Sequence, residues 1–148
     1  MSGDAPYLHA SAVLVAEGAV LIRGASGAGK SQLALALMAE ARRRGLFSRL
    51  IGDDRVAVSP AGGRALVRGH PALNGRIEER ATGVLADMPV MAGVLRCVVD
   101  LSEAPPRLPE TEAPAACVAG VDLPVLTIWT GCAPQEAARR VLAFLNWV

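Results

Sequence analysis

The segment from Arg23 to Ser31, which reads R-G-A-S-G-A-G-K-S, constrains this chain more than any other stretch. From its first glycine onward it matches G-x-x-x-x-G-K-[ST], the Walker A pattern of a phosphate-binding loop. Glycines let successive backbone N–H groups point at phosphate oxygens, because no Cβ blocks the turn. A helix that starts at the loop would aim its positive end at the same phosphates. We therefore predict a nucleotide-binding loop made of Gly24, Ala25, Ser26, Gly27, Ala28, Gly29, Lys30 and Ser31.

Lys30 is the one lysine of the chain, although the sequence holds 15 lysine and arginine residues. An ammonium group is a compact point charge that suits the β- and γ-phosphates of ATP, and the Ser31 hydroxyl would hold Mg²⁺. The apolar run from Ala19 to Ile22 precedes the loop and a helical pattern follows it, as such a loop requires. The alternative is a Gly/Ala/Ser turn that matches the pattern by chance. ATP and Mg²⁺ are thus the predicted ligands.

Composition argues against several other classes of protein. With 148 residues, of which 52% are hydrophobic, we expect one folded domain over residues 1–148. The net charge of +1 argues against a nucleic-acid binder. No apolar run approaches the ~20 residues of a membrane span, and we expect no membrane association. Three cysteines without C-x-x-C spacing indicate reduced thiols and a cytoplasmic protein.

The segments around the loop predict a hairpin and a helix. Leu8 to Ala16 and Ala19 to Ile22 are apolar strands so close in sequence that they must pair antiparallel. A phosphate loop usually follows a strand of a parallel sheet, so a hairpin in this place predicts a mixed sheet. Lys30 to Arg44 predicts a helix with one apolar face, which ends at Gly45.

The rest of the chain predicts further strands and a final helix. Leu50 and Ile51 form a short strand, which Val56 to Val58 should continue beyond an Asp-Asp pair. The segment from Val90 to Leu101 is the most hydrophobic and should be the central strand. The proline-rich segment 102–114 should be a loop or flap, and Pro134 should open the last helix. The predicted class is α/β, with a sheet flanked by helices.

Phosphoryl transfer requires carboxylates beyond the loop, and three places in the sequence could supply them. Asp53 and Asp54 follow a strand directly after the loop helix, and Glu78 and Glu79 lie between two arginines. Asp100 ends the run V-L-R-C-V-V-D. Each place also has a purely structural interpretation: a turn pair, an exposed ion-paired patch, and a strand-end cap.

Two histidines occur in the chain. His9 precedes the hairpin that ends at the loop, and the hairpin would bring it back near Gly24, where an imidazole can contact phosphate. A surface histidine near a terminus is the alternative. His70, within G-H-P, is expected to be a loop residue.

After the loop and its helix come the segments I-G-D-D-R-V and R-G-H-P-A-L-N-G-R-I-E-E-R-A-T-G-V. In this order, the pieces resemble the catalytic domain of bacterial HPr kinase/phosphorylase over residues 8–128. The resemblance implies a phosphoenolpyruvate-carboxykinase-like P-loop fold with a mixed, mostly antiparallel sheet. It also implies transfer of the γ-phosphoryl of ATP to a serine of the phosphocarrier protein HPr.

The resemblance implies roles for the acidic residues. The family's Asp-Asp pair supplies the base that deprotonates the substrate serine, which would be Asp54 with support from Asp53. The family's L-E-V-R-G-x-G-I signature resembles I-E-E-R-A-T-G-V. Glu78 would therefore be a Mg²⁺-associated carboxylate together with Ser31, and Arg80 the signature arginine.

The resemblance also implies positive groups around the transferred phosphoryl. The family has a histidine as far before its loop as His9 is before Gly24. A later family arginine in a D-R-L segment would correspond to Arg107. Lys30 completes this set of expected catalytic side chains.

The chain also departs from the family pattern. It resembles short versions without the separate N-terminal domain, and the basic P-V-R-P-G-R-N loop is replaced by W-T-G-C-A-P. Since the family uses that loop for dephosphorylation, we expect phosphorylase activity to be weak or absent. The expected partners are an HPr-like protein and further copies of the chain, with a hexamer as the family's frequent form. A kinase for another protein or small molecule, or a nucleotide-binding regulator without transfer, are the alternatives.

Overall fold

The computed structural model describes residues 7–70, 92–104 and 115–146. Within these ranges, nine strands form a single mixed sheet, and two helices accompany it. The elements in chain order are β1 (Tyr7–Leu8), β2 (Ala10–Val15), β3 (Gly18–Arg23), α1 (Lys30–Arg43), β4 (Ser48–Gly52), β5 (Val56–Ala61), β6 (Arg64–Gly69), β7 (Ala92–Ser102), β8 (Ala115–Val118), β9 (Val121–Trp129) and α2 (Pro134–Leu145).

The strand order along the sheet is β1-β5-β6-β7-β3-β2-β4, with β9 beside β7 and β8 beside β9. Strand β7 lies parallel to β3 and β9, while the other pairings of the described strands are antiparallel. The long strand β7 pairs with β6 near its start and with β9 near its end. This arrangement confirms the predicted mixed, mostly antiparallel sheet and, for its described residues 92–101, the central place of the segment predicted from Val90 to Leu101.

The hairpin before the loop is present as predicted. Strand β2 pairs with β3 from Ala10 opposite Arg23 to Val15 opposite Gly18. Alternate residues of β3 lie in two separate cores, because side chains of a strand point to opposite faces of the sheet. Val20 and Ile22 belong to the core under the two helices. Ala19 and Leu21 belong to the core on the other face.

Strand β7 contains a bulge where it pairs with β3, and residues paired across the two strands still face the same core. Ala19 pairs with Leu95 and Val20 pairs with Cys97, so Arg96 is an extra residue in the ladder. Leu95 therefore lies in the same core as Ala19, and Cys97 lies with Val20 under the helices. Burial raises the pKa of the Cys97 thiol to about 12, so at neutral pH this residue is a small apolar core side chain.

Both helices pack on one face of the sheet through apolar stripes of helical periodicity. The prediction for the first helix is confirmed, since its apolar face is buried and Gly45 has a left-handed φ of 78° beyond its end. Pro134 occupies the first position of α2, as predicted. The buried residues are Leu33, Ala34, Leu37, Met38 and Ala41 in α1, and Ala137, Ala138, Val141 and Leu142 in α2.

Two strand predictions are wrong in the same way. Val56 to Val58 does not continue the strand of Leu50 and Ile51, because Asp54 adopts φ 58° and turns the chain between β4 and β5. Strand β4 then pairs with β2, whereas β5 pairs with β1 and β6. The predicted strand from Leu8 to Ala16 is similarly divided at His9 into β1 and β2.

Some predictions fall on residues that the structure does not describe. The R-I-E-E-R patch at 76–80, the strand predicted at 84–86 and the prolines of 105–114 lie outside the described ranges. The single domain over residues 1–148 stays a prediction. Within the described ranges, neither helix has the length and apolarity needed to cross a bilayer.

The core under the helices predicts a large difference between two leucines of α1. Leu37 is fully buried between the helices and the sheet, and Leu35 is only partly buried against the same core. Leu37→Ala should lower the free energy of unfolding by about 2–5 kcal/mol, because it removes buried methyl groups and leaves a cavity. Urea unfolding followed by circular dichroism measures this loss. Leu35→Ala, the matched control, should cost clearly less, and equal losses would contradict the described packing.

Candidate functional site

The loop predicted from the sequence lies between the end of β3 at Arg23 and the start of α1 at Lys30. Gly27 and Gly29 have φ values of 82° and 104°, a left-handed conformation that favours glycine. Gly29 caps α1 without any side-chain hydrogen bond, and the first turn of the helix contains no acidic residue. The backbone N–H groups at this helix end therefore have no competing anion on their own element.

Lys30 is directed back across the loop and is only 5% exposed. Its Nζ donates to the carbonyl oxygens of Gly24 at 2.9 Å and Ala25 at 3.1 Å. The same Nζ lies 3.3 Å from Oδ1 of Asp54, whose side chain is 52% exposed. The ammonium is thus held by the loop carbonyls and by one carboxylate that faces solvent.

Asp53 connects the loop helix to the hairpin. Its Oδ1 accepts hydrogen bonds from the Ser31 hydroxyl at 2.6 Å and from the Ser11 hydroxyl at 3.0 Å. Ser11 is fully buried in β2, and its Oγ also accepts a bond from the backbone N–H of Asp54 at 3.0 Å. Ser11 therefore fixes both aspartates with one hydroxyl group.

Asp54 has a left-handed backbone, which is uncommon for a residue with a Cβ. Such a conformation costs on the order of 1–3 kcal/mol and persists where surrounding contacts enforce it. The bond from its N–H to Ser11 and the ion pair with Lys30 are such contacts. At this turn the Asp53 carboxylate contacts Ser31, and the neighbouring Asp54 carboxylate contacts Lys30.

The loop, the lysine and both aspartates border one open cavity of about 320 Å³. Its described lining consists of Gly27, Gly29, Lys30, Ser31, Gln32, Asp53 and Asp54. The backbone amides and Lys30 suit phosphate, whereas the Ser31 hydroxyl and the Asp53 carboxylate are the oxygen ligands that Mg²⁺ prefers. The described ranges contain no cluster of three or more metal-ligating His, Cys, Asp or Glu side chains. Mg²⁺ does not require such a cluster, because it commonly takes one or two carboxylates plus substrate phosphates.

Asp100 does not take part in this cavity. Its carboxylate forms a two-point ion pair with Arg23, at 2.7 Å from Nε and 2.8 Å from Nη2. The two residues pair directly across the parallel strands β3 and β7. The hydrogen bonds to Asp100 raise the pKa of the Arg23 guanidinium. Of the alternatives for Asp100, the strand-end partner therefore agrees with the structure better than a carboxylate at the loop.

His9 lies between β1 and β2, and His70 directly follows β6. The hairpin register ends with Ala10 opposite Arg23, and His9, one residue before Ala10, is exposed. The ring of His70 lies 4.8 Å from the ring of Tyr7, and the Arg55 guanidinium lies 5.0 Å over that same Tyr7 ring. This small cluster attaches β1 to the segment directly after Asp54.

The remaining predicted site residues lie outside the described ranges. These are Glu78, Glu79, Arg80 and Arg107. The structure adds Ser11, which the sequence reasoning missed. A hydroxyl inside the otherwise apolar strand A-S-A-V-L-V was the available signal, but serine is too common in strands for that signal to point to a site.

Three comparisons with known proteins agree on one family. The family model described as the HPr serine kinase C-terminal domain matches residues 3–95. The HPr kinase/phosphorylase of Mycoplasma mycoides subsp. mycoides SC is 38% identical over 76 residues, which is 51% of this chain. That match spans only 22% of the relative's own length.

A solved structure supports the fold over nearly the whole chain. The Hpr(Ser) kinase/phosphatase from Coxiella burnetii superimposes with a TM-score of 0.70 and covers 97% of this chain and 99% of that chain. At 20% sequence identity, this likeness shows a shared fold. The family model covers well over half of the sequence, which is enough to assign the chain to a family. This chain belongs to the HPr serine kinase C-terminal domain family.

Proposed function

We propose that this protein is an ATP-dependent serine protein kinase, which transfers the γ-phosphoryl of ATP to a serine of an HPr-like phosphocarrier protein. The observation that carries the proposal is the 3.3 Å approach of the Lys30 ammonium to the Asp54 carboxylate beside a phosphate-binding loop. A loop that only binds nucleotide needs no exposed carboxylate at that point. A kinase needs a base there and a cation beside it.

The residues around Ser31 fit a bound Mg²⁺. The Ser31 hydroxyl and the Asp53 carboxylate oxygen lie 2.6 Å apart at the first turn of α1, and both are hard oxygen ligands. In this proposal they hold the ion, and Glu78 joins them as the resemblance implies. When bound, Mg²⁺ neutralises negative charge on the β- and γ-phosphates.

In the proposed reaction Asp54 is the general base. It accepts the proton of the substrate serine as the serine oxygen attacks the γ-phosphorus in line. The bond between that phosphorus and the β,γ-bridging oxygen breaks, and ADP leaves. Lys30 offsets the charge on the transferred group, and His9 and Arg107 are proposed to assist it.

Lys30 must exchange partners during this cycle. The carbonyls of Gly24 and Ala25 and the Asp54 carboxylate occupy its ammonium in the described structure. Phosphate oxygens would replace these partners with stronger, charge-assisted bonds. That exchange also releases Asp54 from its cation, so the base becomes available when nucleotide is bound.

The further parts of the proposal follow the family resemblance. An HPr-like protein is the acceptor, the chain assembles with copies of itself, and the reaction is cytoplasmic. The reverse, phosphate-dependent reaction is proposed to be weak, because the segment Trp129–Pro134 carries no arginine. Neither nucleic acid nor a membrane takes part.

The first prediction tests the acceptor. Purified chain with γ-labelled ATP and Mg²⁺ should place label on a serine of HPr, as seen by gel autoradiography and phosphopeptide mass spectrometry. HPr with its acceptor serine changed to alanine is the control and should stay unlabelled. Label on a different acceptor, or nucleotide binding with no transfer to any acceptor, would favour the two alternatives and contradict the HPr assignment.

The second prediction tests the base. Asp54→Asn should keep nucleotide affinity within a few-fold and lower the rate of transfer by about 10²–10⁴-fold, the usual contribution of a general base. Single-turnover kinetics and equilibrium ATP binding measure the two quantities. Asp122→Asn removes an exposed carboxylate at the far end of β9 and should change neither. Normal transfer by Asp54→Asn would remove the base assignment.

The third prediction tests the lysine. Lys30→Ala should weaken ATP binding and abolish measurable transfer, because the loop loses the cation that contacts the terminal phosphates. Calorimetric titration with Mg-ATP measures the affinity, and circular dichroism checks that the variant is folded. Undiminished ATP affinity in a folded Lys30→Ala chain is the result that the proposal does not allow.

A further inference from the structure

A second pocket lies beside the phosphate loop, and none of its described lining residues carries a charged side chain. It forms where the first turn of α1, the ends of β7 and β9 and the start of α2 meet, and it holds about 80 Å³ with one side open. Its apolar wall comes from Leu101, Ile128, Trp129, Cys132 and Pro134. Because it is narrow and open, it can take the face or edge of a flat ring rather than enclose a whole nucleoside.

This pocket adjoins the cavity that contains the aspartates. Gly29 and Gln32 line both, so the two spaces meet at the first turn of α1. They lie on opposite sides of the loop strand, since β2 and β4 lie on one side of β3, and β7 and β9 lie on the other. The cavity on one side of the loop is lined by three charged side chains, Lys30, Asp53 and Asp54, and the described lining of the pocket on the other side contains none.

Trp129 is held in place at the edge of this pocket. It is 41% exposed, whereas its neighbour Ile128, which points to the other face of the strand, is 1% exposed. The N–H of Cys132 donates to the Trp129 carbonyl at 2.9 Å and closes a turn. A Cβ at Gly131 would fall 2.6 Å from two carbons of the indole ring, so the ring occupies space that only glycine leaves open.

The turn is also attached to the sheet. The N–H of Thr130 donates to the Ser102 carbonyl at 2.9 Å, which joins the turn to the end of β7. Two backbone hydrogen bonds thus hold the turn, and the indole packs against its glycine, so stacking on the ring should cost little side-chain entropy. The ring of Tyr7, which is 40% exposed, already has Arg55 and His70 beside it.

We propose that this uncharged pocket receives the nucleobase of the nucleotide, with Trp129 as the stacking surface. A nucleoside triphosphate has a charged end and a flat aromatic end, which matches the two sides of the loop. The inference rests on the proposed nucleotide binding and adds the side chain that binds the base. Trp129 belongs to the segment W-T-G-C-A-P, so this function would stand where the family resemblance leads one to expect a basic loop.

The test compares ATP with tripolyphosphate, which has the same charged end but no base. In a Trp147→Phe background, where Trp129 is the one remaining tryptophan, Mg-ATP should quench its fluorescence and Mg-tripolyphosphate should not. Trp129→Leu should weaken ATP binding about tenfold or more, because stacking of a base on an aromatic ring is worth about that factor. Its affinity for tripolyphosphate should stay within twofold.

Two control variants and one further test variant make the result specific. Trp129→Phe keeps an aromatic face and should retain most of the ATP affinity. Phe47→Leu removes a more exposed ring, 57% exposed, at the other end of α1 and should change neither affinity. Gly131→Ala should displace the indole and repeat the selective loss for ATP, which provides a second test if Trp129→Leu does not fold.

The outcomes separate this inference from the proposed function. Unchanged ATP affinity in folded Trp129→Leu, or equal weakening of both ligands, would overturn the base assignment and leave nucleotide binding intact. If the parent chain binds neither ATP nor tripolyphosphate, the proposed function fails and the inference fails with it.

Discussion

The hydrogen bonds of the Asp53 carboxylate hold together the parts of this site. One oxygen joins the hydroxyl of Ser11 in β2 to the hydroxyl of Ser31 in α1, while Asp53 itself belongs to the turn after β4. Ser11 is fully buried, so an unsatisfied hydroxyl there would cost about 1–3 kcal/mol. Since the same hydroxyl accepts the N–H of Asp54, the position of the proposed base depends on this network. The phosphate loop would still form without it, but without carboxylates fixed beside it.

The direction of three strands explains why the remaining features gather at one edge. Strands β3, β7 and β9 are parallel, so their carboxyl ends carry the loop, Asp100 and Trp129 respectively to the same side of the sheet. This edge is where ligands bind in open α/β sheets. The ion pair of Arg23 with Asp100 joins two of these ends, and its partial exposure limits its contribution to about 0–1 kcal/mol. Its main effect is to keep the Asp100 carboxylate engaged next to the loop strand.

Much of the fold could be predicted, and the errors have two causes. The helix after the loop, the hairpin before it and the central strand are visible in the sequence, because hydrophobic periodicity and glycine positions act over a few residues. The break at Asp54 was not visible, since apolar residues on both sides read as one strand and aspartate tolerates a left-handed backbone. The hydrogen bonds of Ser11 and the proposed role of Trp129 were not recognised either, because both depend on neighbours that are distant in sequence.

By itself, the sequence determined that this chain carries a loop of the Walker A pattern, because the glycines, Lys30 and Ser31 stand together within one short segment. It also determined that a hairpin leads into that loop. Only the tertiary structure decided which of the carboxylates in the described ranges reaches the loop. Strand β2 lies between β3 and β4, and this long-range pairing brings Asp53 and Asp54 to Ser31 and Lys30, while the register of β7 gives Asp100 to Arg23. Strand order is set by burial on both faces of the whole sheet, and no local pattern of residues contains it.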